Sequence, residues 1–458
     1  MKFRTINRPA ALAAAIAATA VLHAQQITTI AGTGAPGSTG DGGDATAALL
    51  TSASSLAVNP LGDLFILDAA NNRVRKLNAS GTISTVAGNG EIAPAMEGPA
   101  TASPFVQPYG VSWGGDGRLY LALSEGLYAI DDGGQMQTVI GDRSVPVVAL
   151  AGRTVYLSDF AGIYRREPDG ALTLVAGSLE NGNTGDGEPA TNARFGFISS
   201  LAADRAGRLW VADSEHRRIR RFTPGGLIDA VVSLPAFEEL AQNGARPPHE
   251  THACSWDPGG AERALCAFDL AVPISIAVDA AANLYIGDPG LRRVYRVRAG
   301  TSDLETIAGT DQDGSTGDGG KASEASFAAI AGIAVNCPGV SIGDTARVRR
   351  ISLSDPLIAL NGVRDAESGE AAIRSGRAFR IEGCHLSETV QRAPESQALP
   401  TLLGGAQVLV NGTPVGLASV SPGLIEARLP DGWTRQESAT LRIEVVGKPA
   451  VQTQVAIR

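Results

Sequence analysis

Residues 56–88 read LAVNPLGDLFILDAANNRVRKLNASGTISTVAG, and their pattern predicts the fold class. It contains four short runs, which begin at Leu56, Leu64, Arg73 and Thr85 and are separated by glycine, asparagine or aspartate. Short runs rich in β-branched and aromatic side chains, bounded by turn residues, indicate β-strands. The stretch therefore predicts a unit of four short antiparallel strands.

The unit recurs along the chain. Its closing Thr-Val-Ala-Gly returns at residues 29–32, 174–177 and 306–309, and in weaker form at 138–141. An aspartate follows the second strand in five of the six copies, at Asp68, Asp159, Asp213, Asp288 and Asp344. Four-stranded units repeated in this way predict an all-β fold in which each unit is one blade of a β-propeller.

The number of strands suggests how the propeller closes. Sets of the first three strands occur six times, but the sixth set ends near Leu353 without a fourth strand of its own. Residues 26–32 form a fourth strand with no set before it. We therefore predict a six-bladed propeller in which residues 26–32 complete the blade containing residues 330–353, because this pairing removes two exposed edges.

The order of strand, aspartate, short loop, Arg-Val-Arg or Arg-Ile-Arg, turn and Thr-Val-Ala-Gly resembles the NHL-repeat β-propeller family. The resemblance covers roughly residues 26–353, although no arginine opens the third strand of the second or third unit. Related propellers include lyases that bind zinc through histidines from different blades. They also include lactonases that hold calcium near the axis, and some intracellular NHL propellers bind RNA.

The first 24 residues predict a signal peptide. Lys2, Arg4 and Arg8 form a basic start, and Ala10–Leu22 is an apolar run too short to span a bilayer. Its loss would change the net charge from −9 to −12. We therefore expect a secreted, periplasmic or cell-surface protein with no transmembrane anchor and no nucleic-acid partner, since phosphate binding needs a basic surface.

The chain divides into three predicted parts: a signal peptide at 1–24, a propeller at 25–354 interrupted by an insertion at 235–271, and a C-terminal domain at 355–458. The last part has no repeat, but residues 407–415 alternate into an Asn-Gly turn, as in a hairpin. It resembles a domain appended to many exported bacterial proteins, which implies a small immunoglobulin-like β-sandwich.

Export also governs how the four cysteines are interpreted, because oxidising compartments favour disulfides. Cys254 and Cys266 lie in one polar insertion and are the predicted disulfide. Cys337 and Cys384 could pair across the domain boundary, and the sequence leaves that pairing open.

The repeated aspartates and arginines are the first candidate site. Three pairs flank equivalent loops, and we interpret them as structural ion pairs that brace each hairpin, with a charged ring around a ligand as the alternative. The pairs are Asp68 with Arg73, Asp213 with Arg218, and Asp288 with Arg293.

Metal ligands are the second kind of candidate. Glycine-rich loops with the sequence Thr-Gly-Asp-Gly begin at residues 39, 184 and 316. Beside the last of them, Asp311, Asp313 and Asp318 offer three carboxylates in a flexible loop, which makes a calcium site possible. His249 and His252 could hold zinc, but their loop lacks a clear third ligand.

No catalytic arrangement stands out in the sequence. Only His216 lies on the regular repeat, so the three-histidine zinc site of the related lyases is not expected. We therefore predict an exported, non-catalytic binding or scaffold protein that uses a propeller face to bind a protein, a peptide or a glycan. The alternative is a metal-dependent lactonase or lyase with a site at the central channel.

Overall fold

The computed structural model describes residues 25–233 and 275–458, apart from short gaps at 160–161, 302, 338, 354–356, 369, 385, 388, 395–397, 422, 447 and 449. These residues form 35 strands in sheets of four or five, together with five single-turn 3₁₀ helices and no α-helix. The predicted all-β class is confirmed. In this part of the chain, no helix has the length and hydropathy of a membrane span.

Strand β1, Ile27–Ala31, is followed by six sheets built to one plan. Sheet 1 contains β2 Ala53–Val58, β3 Leu64–Asp68, β4 Arg73–Leu77 and β5 Ile83–Ala87. Sheet 2 contains β6 Gly98–Pro99, β7 Pro108–Trp113, β8 Leu119–Leu123, β9 Gly126–Ile130 and β10 Gln135–Gly141. Sheet 3 contains β11 Val147–Ala151, β12 Thr154–Ser158, β13 Ile163–Arg166 and β14 Leu172–Ala176.

Sheet 4 contains β15 Ile198–Ala203, β16 Leu209–Asp213, β17 Arg218–Phe222 and β18 Ile228–Ser233. Sheet 5 contains β19 Ser275–Val278, β20 Leu284–Asp288, β21 Arg293–Val297 and β22 Leu304–Ala308. Sheet 6 contains β23 Ile333–Asn336, β24 Gly339–Asp344 and β25 Arg347–Ser352, with β1 as its fourth strand. The 3₁₀ helices are Ala45–Ala47, Ala69–Asn71, Ala100–Ala102, Ala190–Asn192 and Ala322–Glu324.

Within each of these sheets, neighbouring strands are antiparallel. The pairing of β1 with β25 places Ile27 opposite Ile351 and Thr29 opposite Arg349. One edge strand of each sheet contacts the corresponding edge strand of the next sheet, and the last of them also contacts the first. In order, these strands are β2, β7, β11, β15, β19 and β23. We call these six the inner strands.

Neighbouring sheets cover each other, and this explains the continuous apolar runs of the second strands. Every residue of β3, β8, β16 and β20 is buried. Phe65 of sheet 1 and Leu121 of sheet 2 lie in one core cluster, and Leu56 of sheet 1 shares another with Ala334 of sheet 6. A strand that is buried on both faces has no polar side to alternate with its apolar side.

The glycine-rich loops cover the outer edges of three sheets. Gly42 donates its backbone N–H to Ile83 of β5, Gly187 to Ile228 of β18, and Gly319 to Ile27 of β1, each at 2.8 Å. These glycines have φ values of +82°, +83° and +80°, which disfavour other residues. The loops therefore protect edge strands that would otherwise present unpaired backbone groups.

The C-terminal residues form two further sheets. The strands are β26 Leu357–Asp365, β27 Ala372–Ile373, β28 Ala378–Cys384, β29 Gln391–Arg392, β30 Ala406–Val410, β31 Thr413–Pro414, β32 Gly416–Val420, β33 Leu424–Arg428, β34 Gln436–Val445 and β35 Val451–Ile457. Sheet 7 has the order β26-β28-β33-β32-β29, and sheet 8 has the order β27-β35-β34-β30-β31. Phe379 and Ile381 of sheet 7 share one core with Val408 and Leu441 of sheet 8.

Candidate functional site

The inner strands surround a cavity of about 270 Å³, which we call the channel. Its described lining consists of serine, glycine, alanine, valine, leucine, isoleucine and proline residues together with Tyr109 and Trp113. Among these lining residues there is no carboxylate, imidazole, thiol, ammonium or guanidinium group. The described lining therefore offers hydrogen bonds and apolar surface, and none of its side chains is a charged ligand for a metal ion.

Serine side chains link neighbouring inner strands around the channel. Ser55 accepts a hydrogen bond from the backbone N–H of Val111 at 3.1 Å, and Ser200 accepts one from Ile276 at 3.2 Å. Ser275 accepts in the same way from Ile333 at 3.1 Å. Each inner strand is the edge of its own sheet, so other backbone groups along it are left facing the channel.

An aromatic residue lies toward each end of the channel. We call the end where the inner strands begin the upper mouth, and the end where they finish the lower mouth. Tyr109, near the start of β7, is 38% exposed. Trp113, at the end of β7, stacks on Phe65 with ring centroids 5.1 Å apart.

The repeated aspartates bind backbone amides. The Asp68 carboxylate accepts hydrogen bonds from the backbone N–H groups of Thr51 and Ser52, at 3.0 and 2.9 Å. Asp344 does the same with Ala328 and Ala329. Because these two carboxylates are fully buried, they fix the loops that lead into the inner strands β2 and β23.

The predicted partners of these aspartates lie opposite them but bond elsewhere. Asp68 faces Arg73 across β3 and β4, yet the guanidinium of Arg73 donates to the carbonyl oxygen of Asn89 at 2.8 Å. Arg218 likewise faces Asp213, but its described ion pair is with Asp186 at 3.7 Å. Sequence spacing identified the cross-strand neighbours, whereas the direction of each long side chain decided its partner.

In the third predicted pair, the aspartate again forms its described ion pair with a residue other than the arginine opposite it. Asp288 faces Arg293, but the described ion pair of its carboxylate is with Arg217 of the preceding sheet, at 2.6 Å. Asp288 also accepts backbone hydrogen bonds from Gly290 and Leu291. Its described contacts therefore tie sheet 5 to sheet 4 as well as closing its own loop.

The second arginine of the third strand is the residue that reasoning from the sequence missed. Arg75, Arg220 and Arg349 have fully buried side chains, and each forms an ion pair with the aspartate of the glycine-rich loop of its own sheet. The distances are 2.7 Å from Arg75 to Asp41, 2.8 Å from Arg220 to Asp186 and 2.9 Å from Arg349 to Asp318. The signal was available, because each loop aspartate precedes its arginine by 34, 34 or 31 residues.

Each buried arginine also satisfies backbone oxygens of the same loop. Arg220 donates to the carbonyl groups of Arg194 and Thr184, and Arg349 donates to those of Ser326 and Thr316. The loops that carry the Thr-Gly-Asp-Gly motif are therefore anchored from inside the sheet. This explains the motif by structure and requires no ligand.

The three carboxylates of the candidate calcium site have separate partners. Asp318 pairs with Arg349, Asp313 lies 3.5 Å from Arg292, and Asp311 accepts a hydrogen bond from the Gln312 amide. In the part of the chain that is described, no group of three histidine, cysteine or acidic residues has the geometry of a metal site. A calcium ion bound by all three aspartates would have to displace two arginines.

His216 is the one histidine within the described ranges, and it contacts Asp213. Its Nδ1 lies 2.9 Å from Oδ1 of that carboxylate, which also accepts the backbone N–H of Gly196. Burial raises the pKa of Asp213 above its usual value. His249, His252, Cys254 and Cys266 lie outside the described residues.

Sheet 7 of the C-terminal part contacts sheets 4 and 6 near the lower mouth. Cys337, directly after β23, forms a disulfide with Cys384 at the end of β28, with Cα atoms 5.7 Å apart. Arg205 pairs with Glu382 across the same boundary at 3.3 Å. The pairing that the sequence left open is therefore present in the structure.

Comparisons with known proteins give distant similarities. No protein-family model matches the sequence. Human teneurin-4 is 26% identical over 270 residues, which make up 58% of this chain. The matched region is only 8% of the length of teneurin-4.

Two of the solved structures that match each cover 72% of this chain. An auxiliary nutrient binding protein from Bacteroides thetaiotaomicron matches 72% of this chain and 76% of its own, with 13% identity and a TM-score of 0.48. A gluconolactonase from Xanthomonas campestris matches 72% and 90%, with 12% identity and a TM-score of 0.42.

Proposed function

We propose that sheets 1 to 6 are the blades of one closed, six-bladed β-propeller of the NHL type, followed by an immunoglobulin-like domain. We propose further that the protein is exported and binds a partner on a propeller face without catalysis, the partner being an extracellular protein, a peptide or a glycan. The cyclic contacts of the inner strands and the pairing of β1 with β25 support the proposed ring.

The composition of the channel carries the functional part of the proposal. Hydrolysis or elimination at a propeller axis requires an acid, a base or a metal ion, and the described lining of this channel has no charged group. The repeated carboxylates of Asp68 and Asp344 are buried and accept hydrogen bonds from backbone amides. A neutral, hydrogen-bonding channel suits a binding protein.

The cysteines support the proposed export. A disulfide between Cys337 and Cys384 requires an oxidising compartment to persist, and the basic and apolar segments of residues 1–24 fit a signal peptide. We therefore propose a secreted, periplasmic or cell-surface location.

The test compares binding with turnover on the same preparation. The intact exported protein is applied to glycan and peptide arrays, and it is assayed against a panel of lactones with Ca²⁺ or Zn²⁺ added. We expect saturable binding to at least one array class and no lactone hydrolysis above the buffer rate.

A channel variant makes the test specific. Ser112→Phe narrows the channel at a half-buried lining position, while Ser84→Ala alters a strand away from it. Metal-dependent turnover that EDTA abolishes, and that Ser112→Phe removes while Ser84→Ala does not, would overturn the proposal in favour of a propeller lactonase or lyase.

A further inference from the structure

A second cavity lies between the lower mouth and the C-terminal domain. It has a volume of about 460 Å³, and we call it the chamber. Its walls come from both parts of the chain, since the turns after the inner strands meet Glu382, Gly383 and Gly423. This volume is within the range of about 300–1,000 Å³ that is usual for small-molecule sites.

The chamber and the channel are continuous. Val58, Trp113, Val278 and Val335, which lie at the ends of four inner strands, line both cavities. The chamber therefore adjoins the lower end of the channel and is bordered on one side by residues of the C-terminal sheets. The disulfide at Cys337 lies in its wall and fixes the distance between the two parts of the chain.

The charged groups of the wall already have hydrogen-bond or ion-pair partners. Arg205 and Glu382 pair with each other at 3.3 Å. The Asp279 carboxylate is buried and accepts hydrogen bonds from the Asn283 amide at 2.8 Å and the Tyr285 hydroxyl at 3.1 Å. A charged ligand would lose its hydration and would have to compete with these partners for a counter-ion among the described wall residues, so the chamber favours a neutral ligand.

The remaining surface combines an aromatic ring with neutral polar groups. Trp113 is half-buried, and Phe65 holds its indole in place by stacking. Asn336 brings an amide into the wall, and the edges of the inner strands add backbone N–H and C=O groups along the channel. A ring with an apolar face and several hydroxyl groups would satisfy both kinds of surface.

We propose that the chamber is a binding site for a small neutral saccharide of one or two rings, seated at the lower mouth beside Trp113. This inference rests on the proposed function as a binding protein, and it adds the site and the class of ligand. The pairing of Cys337 with Cys384 places the C-terminal wall of the site.

The test is isothermal titration calorimetry on the intact, oxidised protein. Maltose and cellobiose are the neutral probes, and glucuronate and glucosamine are charged probes of similar chemistry. We expect the neutral disaccharides to bind at least about tenfold more tightly than either charged sugar. Equal or tighter binding of a charged sugar would overturn the inference.

Matched variants locate the site. Ala280→Trp adds an indole to a turn that lines the chamber, whereas Leu61→Trp adds it to the corresponding turn of sheet 1 at a side chain that is 82% exposed and not in the wall. We expect Ala280→Trp to weaken maltose binding about tenfold or more and Leu61→Trp to leave it unchanged. Asn336→Ala adds no volume, so it tests the same wall if Ala280→Trp fails to fold.

The outcomes separate this inference from the proposed function. Binding of neutral sugars that neither Ala280→Trp nor Asn336→Ala weakens overturns the inference, because the ligand then lies elsewhere. No heat with any neutral sugar also overturns it, while binding on the peptide or glycan arrays would keep the proposed function. Lactone turnover would instead remove the proposed function.

Discussion

Sheets 1, 4 and 6 differ from sheets 2, 3 and 5 at one position in the middle of the third strand. The first group has arginine there, at Arg75, Arg220 and Arg349. The second group has tyrosine at the matching position in the strand register, at Tyr128, Tyr164 and Tyr295. The three arginine sheets are also the three whose preceding segment contains Thr-Gly-Asp-Gly.

The difference shows that the buried arginine and the loop aspartate occur together: each of these six sheets has both residues or neither. The arginine side chains are fully buried, so each needs the loop aspartate and the loop carbonyl groups. Tyrosine fills the same space with an apolar ring and a neutral hydroxyl, and it needs no acidic loop. Burial raises the pKa of Tyr295 to about 12, so this hydroxyl stays neutral even at pH 10, where an exposed tyrosine is half ionised.

The largest effect should follow from removing the outer strand of an arginine sheet. Deleting residues 25–33, with the leader kept upstream, removes β1 and the bond from Thr29 to Asp318. We expect the free energy of unfolding to fall by several kcal/mol, a large part of a typical total of ~5–15 kcal/mol. Thermal unfolding and light scattering measure the stability and the aggregation at the exposed edge. An unchanged melting temperature and solubility would argue against the proposed closure.

Removing the counter-ion of a buried arginine should have the next largest effect. Asp186→Ala leaves Arg220 buried without its carboxylate, and we expect a loss of about 2–4 kcal/mol in urea unfolding. Asp229→Ala, at an exposed position of β18, is the control and should change little. Adding Arg220→Tyr to Asp186→Ala should recover most of the loss, since the tyrosine sheets fill this position without a charge. Equal losses of stability in Asp186→Ala and Asp229→Ala would contradict the claim that buried Arg220 depends on Asp186 as its counter-ion.

Alkaline pH should lower the free energy of unfolding through ionisation of Tyr295 in sheet 5. The folded pKa of Tyr295 lies above the ordinary value of 10, so its contribution is fully present below pH 10 and is lost as the pH rises through about 12. Tyr295→Phe should therefore lose about 1–2 kcal/mol less than the natural protein between pH 8 and pH 11.5. Urea unfolding at both values measures the difference. If both proteins lose the same amount, Tyr295 is not the titrating group.

A single hydroxyl should give the smallest effect. Thr85 donates to Asp41 at 2.7 Å, and Thr29 makes the equivalent bond to Asp318, whereas sheet 4 has Ala230 at this position. We expect Thr85→Ala to cost about 0.5–1.5 kcal/mol in urea unfolding, the usual value of one hydrogen bond. Ser84→Ala on the same strand is the control. A loss of equal size in Ser84→Ala would show that the lost stability does not come from the hydrogen bond between Thr85 and Asp41.

Much of the fold could be predicted because strand and turn preferences act locally. The apolar runs, the aspartates after the second strands and the closing Thr-Val-Ala-Gly motifs all depend on near neighbours, and the all-β class follows from them. The chain also indicated that residues 26–32 needed a distant partner, and β1 pairs with β25.

The candidate site was less predictable, because long side chains choose partners in three dimensions. The arginine opposite Asp68 reaches Asn89, and the buried Arg75 takes an aspartate 34 residues away. A calcium site was possible from the spacing of Asp311, Asp313 and Asp318, but their described partners differ. Spacing along a loop does not fix where the side chains converge.

The strands, the repeat and the positions that need glycine could be predicted from the amino-acid pattern alone, since these features depend on backbone conformation and on the alternation of buried residues. The pairing of the charges, the bond between Cys337 and Cys384 and the neutral character of the described channel lining emerged only from the three-dimensional packing of the sheets. Ion pairs and disulfides form only between groups that lie within a few ångströms of each other, and the walls of a cavity are likewise the residues that happen to be adjacent. The packing of separate sheets sets those distances.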